Sequence, residues 1–257
     1  MKIIIIIEKY GNHCNRLFQS LHFHSLAIEK NAKFINLSLI GNLKFDNKFF
    51  LFIDFLSSSF FKLVSNILNI FNKNNHIFFK FKDYFEITIV KGWDFRRGEL
   101  TKKHWSQLKK IYRFKKKLDK NNLTLIKKID NLKKEGKFIV GIHVRRGDYK
   151  KWRDGIYYFD DNFYEKIIEK IKFLLINANK DPFIIVVSDE EISKNLSHHL
   201  KSNGSWIEDQ VILQSCNLLL GPPSTFTMWA SYISKIPLIQ IKSLENLKLH
   251  NRRICDG

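Results

Sequence analysis

Cysteine is nearly missing from this chain: Cys14, Cys216 and Cys255 are the only three in 257 residues, and none lies in a CxxC spacing. An odd number without paired spacing argues against a disulfide framework and a zinc cluster, and it fits a reducing compartment. Long hydrophobic runs are missing too. The opening run Ile3 to Ile7 is too short for a signal peptide or for the ~20 apolar residues of a membrane span, and it reads as a buried strand. Between Phe49 and Phe81 the apolar stretches are broken by Asp54, by Ser57 to Ser59, by Lys62 and by asparagine-rich turns. A cytosolic location is the expectation. Histidines occur, but His22, His24, His198 and His199 have no carboxylate or cysteine at ligand spacing, so no metal site is expected.

Acidic residues are the scarcer charge, with 25 Asp and Glu against 44 Lys and Arg, a net +19. Such a field draws phosphates, nucleic acid and anionic membrane surfaces alike, and it can equally reflect compositional bias of the source genome. Basic residues are not interleaved with stacking aromatics in any nucleic-acid motif, so a nucleic-acid partner is not expected. Peripheral contact with an anionic membrane stays open as a use of the charge.

Apolar side chains are plentiful, at 44% hydrophobic and 14% aromatic residues. That composition builds a core, and the length suits one large domain or two small ones. A strand over Lys2 to Ile7, a loop at Gly11 to Asn15 and a helix over Leu17 to Lys30 open the chain. A region rich in Phe and Asn follows, ending in the strand Phe85 to Val90 and the turn Lys91 to Asp94. From Thr101 to Lys134, Lys and Arg recur with Trp105, Leu108, Ile111, Leu118, Leu125 and Ile129 at helical spacing, interrupted at Asp119 to Asn122. This reads as two basic amphipathic helices.

The second half has sharper signals. Lys137 to Val144 is an apolar strand, and Phe163 to Ile176 a helix capped by Asp160 or Asp161. Further strands are expected at Phe183 to Val187, Leu218 to Gly221 and Leu238 to Ile241. Helices are expected around Ile192 to Leu200, near Val211 to Gln214 and over Ser224 to Ile233. Apolar strands alternating with helices imply an α/β fold whose parallel sheet is covered on both faces, with ligands bound at the carboxyl ends of its strands.

One segment stands at such an end: Gly141-Ile142-His143-Val144-Arg145-Arg146-Gly147-Asp148-Tyr149. An arginine fork carries a permanent charge and paired donors that match phosphate oxygens, the chemistry a departing diphosphate needs. A surface arginine pair with a core histidine explains a bare HxRR equally well. Downstream, Asp189 after the strand residues Val187-Ser188 is either an acceptor for a ligand N–H or, like Ser188, the N-cap of the next helix. Ser224 and Thr225 open a helix, where hydroxyls and backbone N–H groups either hold an anion or simply cap.

These segments resemble the GDP-fucose-dependent α1,2-fucosyltransferases, which share a His-x-Arg-Arg-x-Asp motif with α1,6- and protein O-fucosyltransferases. His143 to Asp148 matches that motif in full, Val187-Ser188-Asp189-Glu190 is similar to the family's strand ending in Ser-Asp, and Gly221 to Ala230 looks like its third motif. Gly11-Asn12-His13-Cys14-Asn15-Arg16-Leu17-Phe18-Gln19 resembles the family's Gly-x-x-Gly-Asn-Gln-Leu-Phe-Gln, with Cys14 and Arg16 in place of Gly and Gln.

The resemblance implies a GT-B-like fold of two Rossmann-like halves, residues 1–134 on the acceptor side and residues 135–257 binding the donor. It implies metal-independent, inverting transfer of fucose from GDP-fucose to a glycan hydroxyl, with no cofactor beyond the donor substrate. Arg145 would hold the diphosphate, His143 would lie near the nucleoside and Asp189 would accept from guanine. Ser224 and Thr225 would touch the diphosphate, and Arg146 would line the same loop. Gly11 and Asn15 would give the amino-terminal loop its turn, and Asp148 and Asp154 are the candidates for general base. Trp93, in the turn Gly92 to Arg96, would either stack an acceptor sugar or sit in a core.

Overall fold

The computed structural model describes residues 2–7, 10–39, 76–81, 85–90, 95–112, 120–197, 200–201 and 205–255. Most of the Phe- and Asn-rich region, Trp93, His198 and His199 lie outside the described residues. The chain divides into two compact units, residues 1–115 with 256–257 and residues 116–255.

The first unit carries a sheet of order β2-β1-β4-β3, built from β1 (Lys2–Ile6), β2 (Lys33–Asn36), β3 (His76–Phe81) and β4 (Phe85–Val90). β1 runs parallel to β2 and β4, and β3 returns antiparallel along β4. Between β1 and β2 lies α1 (His13–Glu29), which buries Leu17, Phe18, Leu21, Phe23 and Ala27. The helix begins four residues before the predicted start, so Asn15 is a first-turn helical residue and not part of a loop. Gly11 does keep a turn, at φ 57°, where a Cβ would run into the Asn15 side chain. A left-handed backbone and that close approach together require glycine. Two short helices, α2 (Gly98–Lys103) and α3 (Trp105–Ile111), complete the unit and meet at His104.

The second unit is a five-stranded sheet, order β7-β6-β5-β8-β9, with every pairing parallel. Its strands are β5 (Lys137–Val144), β6 (Asp181–Ser188), β7 (Leu200–Lys201), β8 (Leu218–Gly221) and β9 (Leu238–Gln240). The helices are α4 (Lys120–Lys134), α5 (Asp161–Ile176), α6 (Lys194–Ser197), α7 (Trp206–Leu213) and α8 (Thr225–Ser234). Alternation along the strands sends Val140, Ile142, Val144, Ile184 and Val186 to one face, against Tyr164, Ile167 and Ile171 of α5. Ile139, Ile185 and Val187 go to the other face, against Leu125 and Ile129 of α4 and Ile212 and Leu213 of α7. Both faces are therefore buried, as apolar parallel strands demand.

That packing moves the division of the chain. α4 was expected with the first half, ending at residue 134, but Leu125 and Ile129 are buried in the second unit's core, and the boundary falls at residues 115 and 116. α7 starts earlier than predicted because Ser205 and Glu208 form a capping box. The helix expected over Ile192 to Leu200 shrinks to α6, and Leu200 enters β7 instead. Among the described residues no helix is long and apolar enough to cross a membrane.

Candidate functional site

β5 delivers the arginine loop to the carboxyl edge of the sheet, and β6 runs beside it in a register that pairs Val144 with Ser188. One step further along both strands, Arg145 faces Asp189. The Arg145 guanidinium donates to Asp189 Oδ2 at 2.8 Å and to Asp148 Oδ1 at 2.6 Å. Asp189 Oδ1 accepts the Arg146 backbone N–H at 2.9 Å. Both oxygens of Asp189 are thus spent on the arginine loop, so it orients Arg145 and does not cap a helix. Ser188 closes a local turn by accepting the Glu190 N–H at 3.2 Å. Gly147 is needed for the same contact, since a Cβ there would lie 2.8 Å from Asp189 Oδ2.

Arg146 has a different office. It is buried, its Nε donates to the Phe159 carbonyl at 3.2 Å, and its Nη2 is paired with Asp161 at the start of α5. Burial works against the Asp161 carboxylate, but Arg146 and the Ser193 N–H outweigh it and hold its pKa below the usual range. With its guanidinium engaged in this way, Arg146 clamps the loop. Asp160, rather than Asp161, is the N-cap of α5, accepting from Phe163 N at 2.8 Å.

Tyr149 ties this loop to the third motif. Its ring lies under the Arg145 guanidinium, 5.6 Å from Cζ to centroid. Its hydroxyl donates to the Pro223 carbonyl and hydrogen-bonds the Ser224 hydroxyl. Ser224 is at the same time the N-cap of α8, accepting from Phe226 N at 3.2 Å, and Thr225 is the first helical residue. Arg145, Asp148, Asp189 and Ser224 are therefore brought together, with Tyr149 as the link that sequence reading passed over; its place directly after the motif was the available signal. A second unassigned support is Tyr164, whose hydroxyl accepts the Arg145 N–H at 3.4 Å.

His143 ends up behind this edge. It is 2% exposed and packs at 4.7 Å against Phe226, next to Gly221, where a Cβ would come within 3.2 Å of its own. Burial, aided by the Arg145 charge, pushes its pKa down to about 3, so the imidazole is neutral. Its Nδ1 finds no hydrogen-bond partner among the described residues. An orphaned buried nitrogen costs about 1–3 kcal/mol and is a natural point for a ligand group to engage. Asp154 lies in an exposed turn where Arg153, Asp154 and Gly155 all have positive φ, and no hydrogen bond or ion pair among the described residues joins it to Arg145. Gly11 and Asn15 are residues of the first unit. Trp229 is fully buried, whereas Phe226 is partly exposed against His143.

A parallel α/β sheet thus gathers an arginine fork and a helix N-terminus at its carboxyl edge, with a neutral imidazole buried behind them, an arrangement chemically suited to an anionic ligand. The family model of glycosyl transferase family 11 matches residues 32–248, and the chain belongs to that family; it is a glycosyltransferase. The fold is similar to that of a mutant of Arabidopsis thaliana FUT1 solved in complex with GDP, at 11% identity and a TM-score of 0.49, over 92% of this chain and 69% of that one. No curated protein matches the chain.

Proposed function

We propose that the protein transfers L-fucose from GDP-fucose to a hydroxyl of a glycan, forming an α1,2 linkage with inversion and without a metal. The observation that carries this reading is Arg145, held at the tip of β5 by Asp189 and linked through Tyr149 to the Ser224 turn at the start of α8. The acceptor oxygen forms a bond to the anomeric carbon as the bond from that carbon to the β-phosphate oxygen breaks. GDP leaves with the electron pair, and the acceptor proton passes to a carboxylate. Arg145 neutralises the charge that builds on the diphosphate, with the Ser224 and Thr225 helix start beside it.

A diphosphate reaching Arg145 competes with Asp148, the more exposed of its two partners at 52% side-chain exposure against 23% for Asp189. An ion pair that exposed is worth little and exchanges readily. Donor binding on this reading releases the Asp148 carboxylate beside the reaction centre, which favours it over Asp154 as the base. The neutral His143 offers its orphaned Nδ1 to the nucleoside side of the donor. The +19 charge supports peripheral contact of a cytosolic protein, a location read from its few cysteines without paired spacing, with an anionic membrane, and co-sedimentation with anionic vesicles tests that contact.

The deciding experiment is Arg145→Ala assayed with a panel of GDP, UDP and CDP sugars. Wild-type turnover confined to GDP-fucose, abolished in a variant that still melts cooperatively, is the expected result. Retained turnover in Arg145→Ala refutes its role, and turnover with a different donor refutes the sugar.

A further inference from the structure

The free edge of the second unit's sheet concentrates positive charge. From Lys235 to Ile254 the chain carries Lys235, Lys242, Lys248, Arg252 and Arg253 against one carboxylate, Glu245. Glu245 is itself engaged, hydrogen-bonded by Ser243 with Lys170 nearby. β9 is the edge strand, and the returning chain bridges it at Leu238, which exchanges both backbone hydrogen bonds with Arg253 at 2.8 and 3.0 Å. Beyond that bridge the two segments part around a cavity of about 390 Å³. Small-molecule sites occupy roughly 300–1,000 Å³. Buried Ile239 and half-buried Met228 form the apolar floor, and exposed Lys242 and Arg253 stand at the mouth.

The wall is held in place before any ligand arrives. Asn246 accepts the Lys242 and Ser243 N–H groups at 2.9 and 3.0 Å and donates to the Gln240 carbonyl at 2.8 Å. Its own carbonyl takes Asn251 Nδ2 at 2.7 Å, which leaves Asn251 Oδ1 as an acceptor. Among the described residues the Gln240 side-chain amide, the Lys242 ammonium and the Arg253 guanidinium meet no hydrogen-bond partner or counter-ion. An arginine fork fits phosphate oxygens, Lys242 adds a second charge, amides serve hydroxyls, and the floor suits the C–H face of a ring. No residue of the arginine loop lines the cavity, and β8 separates β9 from β5, so it stands about 10 Å along the sheet from the strand that leads to Arg145.

We propose that this cavity is a second ligand site, separate from the arginine loop, that takes a sugar phosphate. Glucose 1-phosphate serves as the probe in calorimetric titration, beside inorganic phosphate and glucose. One equivalent is expected to bind at least about tenfold more tightly than inorganic phosphate, with glucose giving no heat. Arg253→Gln should weaken it at least about tenfold and Lys242→Gln at least about threefold, with unshifted melts, because both side chains are exposed and Arg253 bridges Leu238 through its backbone alone. Saturating GDP, and the Arg145→Ala substitution, should each leave the affinity within about twofold. No saturable binding, an affinity no better than that of phosphate, or equal affinity in wild type and both cavity variants overturns the site. Displacement by GDP assigns the probe to the arginine loop and overturns it as well. A protein without fucosyl transfer that still binds the probe through Lys242 and Arg253 keeps this site and loses the transferase reading.

Discussion

The Arg146 clamp lends itself to a double-mutant cycle. Replacing Arg146 by Met removes the buried guanidinium and leaves the Asp161 carboxylate, 26% exposed, supported by Ser193 through its N–H at 2.7 Å and its hydroxyl. Breaking a buried pair from one side costs about 3–5 kcal/mol, and the partial exposure of Asp161 places this case near about 3. In a chain of this size that corresponds to a fall in melting temperature of roughly 6–12 °C. Adding Asp161→Leu to Arg146→Met removes the stranded charge, so the double variant is expected to melt above the single one. The pH dependence carries a sign as well. The Asp161 pKa is depressed in the folded protein, so its contribution is present above the ordinary carboxylate pKa and is lost as pH falls through the folded value. Without Arg146 that loss begins at higher pH. Calorimetry on the four proteins of the cycle from neutral pH down to about 2, the range over which a depressed carboxylate takes up its proton, tests both parts. Additive destabilisation in the double variant, or identical acid limbs for wild type and Arg146→Met, refutes the clamp.

Three further outcomes are expected. Gly141→Ala places a Cβ 2.7 Å from Cys216 Sγ and 3.0 Å from Leu213 Cδ2, so overpacking should cost about 1–3 kcal/mol in thermal melts, and an unshifted melt refutes the packing. Gly147→Ala, by forcing the Asp189 carboxylate off Arg145, should lower kcat/KM at least about tenfold with the core intact; full activity would show that the Arg145–Asp189 contact is dispensable. Burial depresses His22 and His24 to about 4, His22 with help from Arg96, against an ordinary 6.5. The unfolded chain therefore takes up these protons first, and stability should decline as pH falls from 6.5 towards 4. His22→Gln should flatten that decline in denaturant titrations, and an identical slope in wild type and variant would count against it.

What the sequence made legible follows from how local the cause is. The apolar run from Lys137 to Val144 and the helix from Phe163 to Ile176 declare themselves by composition and period, so the strand that leads into Arg145 is legible in the sequence. The partnership of Arg145 with Asp189 is not, because it depends on the register of β5 against β6, which no single segment encodes. α1 begins early because Cys14 packs inward although its neighbours Asn15 and Arg16 break the apolar period, and the Asn12 side chain does not cap it. β7 is two residues long and is held by β6 rather than by propensity of its own. The membership of α4 follows from where Leu125 and Ile129 are buried, a matter of tertiary packing that its basic surface disguises. Ser205 and Glu208 are the exception, a local capping signal present in the sequence and passed over.

Charge behaves differently at the two scales. The whole chain carries +19, yet in the ion pairs of the arginine loop the cations Arg145, Arg146 and Lys150 stand against four carboxylates, Asp148, Asp161, Asp189 and Glu190. Surplus local charge therefore does not attract the ligand of the proposed reading. The long-range field gathers anions near the protein, and it is screened over about 8–10 Å at ordinary salt. Selection then falls to geometry. Asp189 holds one edge of the Arg145 guanidinium in place, and Asp148 occupies the other loosely enough to yield it. A chelating diphosphate offers two oxygens to one fork and gains more from the exchange than a simple monovalent anion does. On this argument raising salt weakens capture of the donor without altering which donor is captured, because the first depends on the field and the second on the fork.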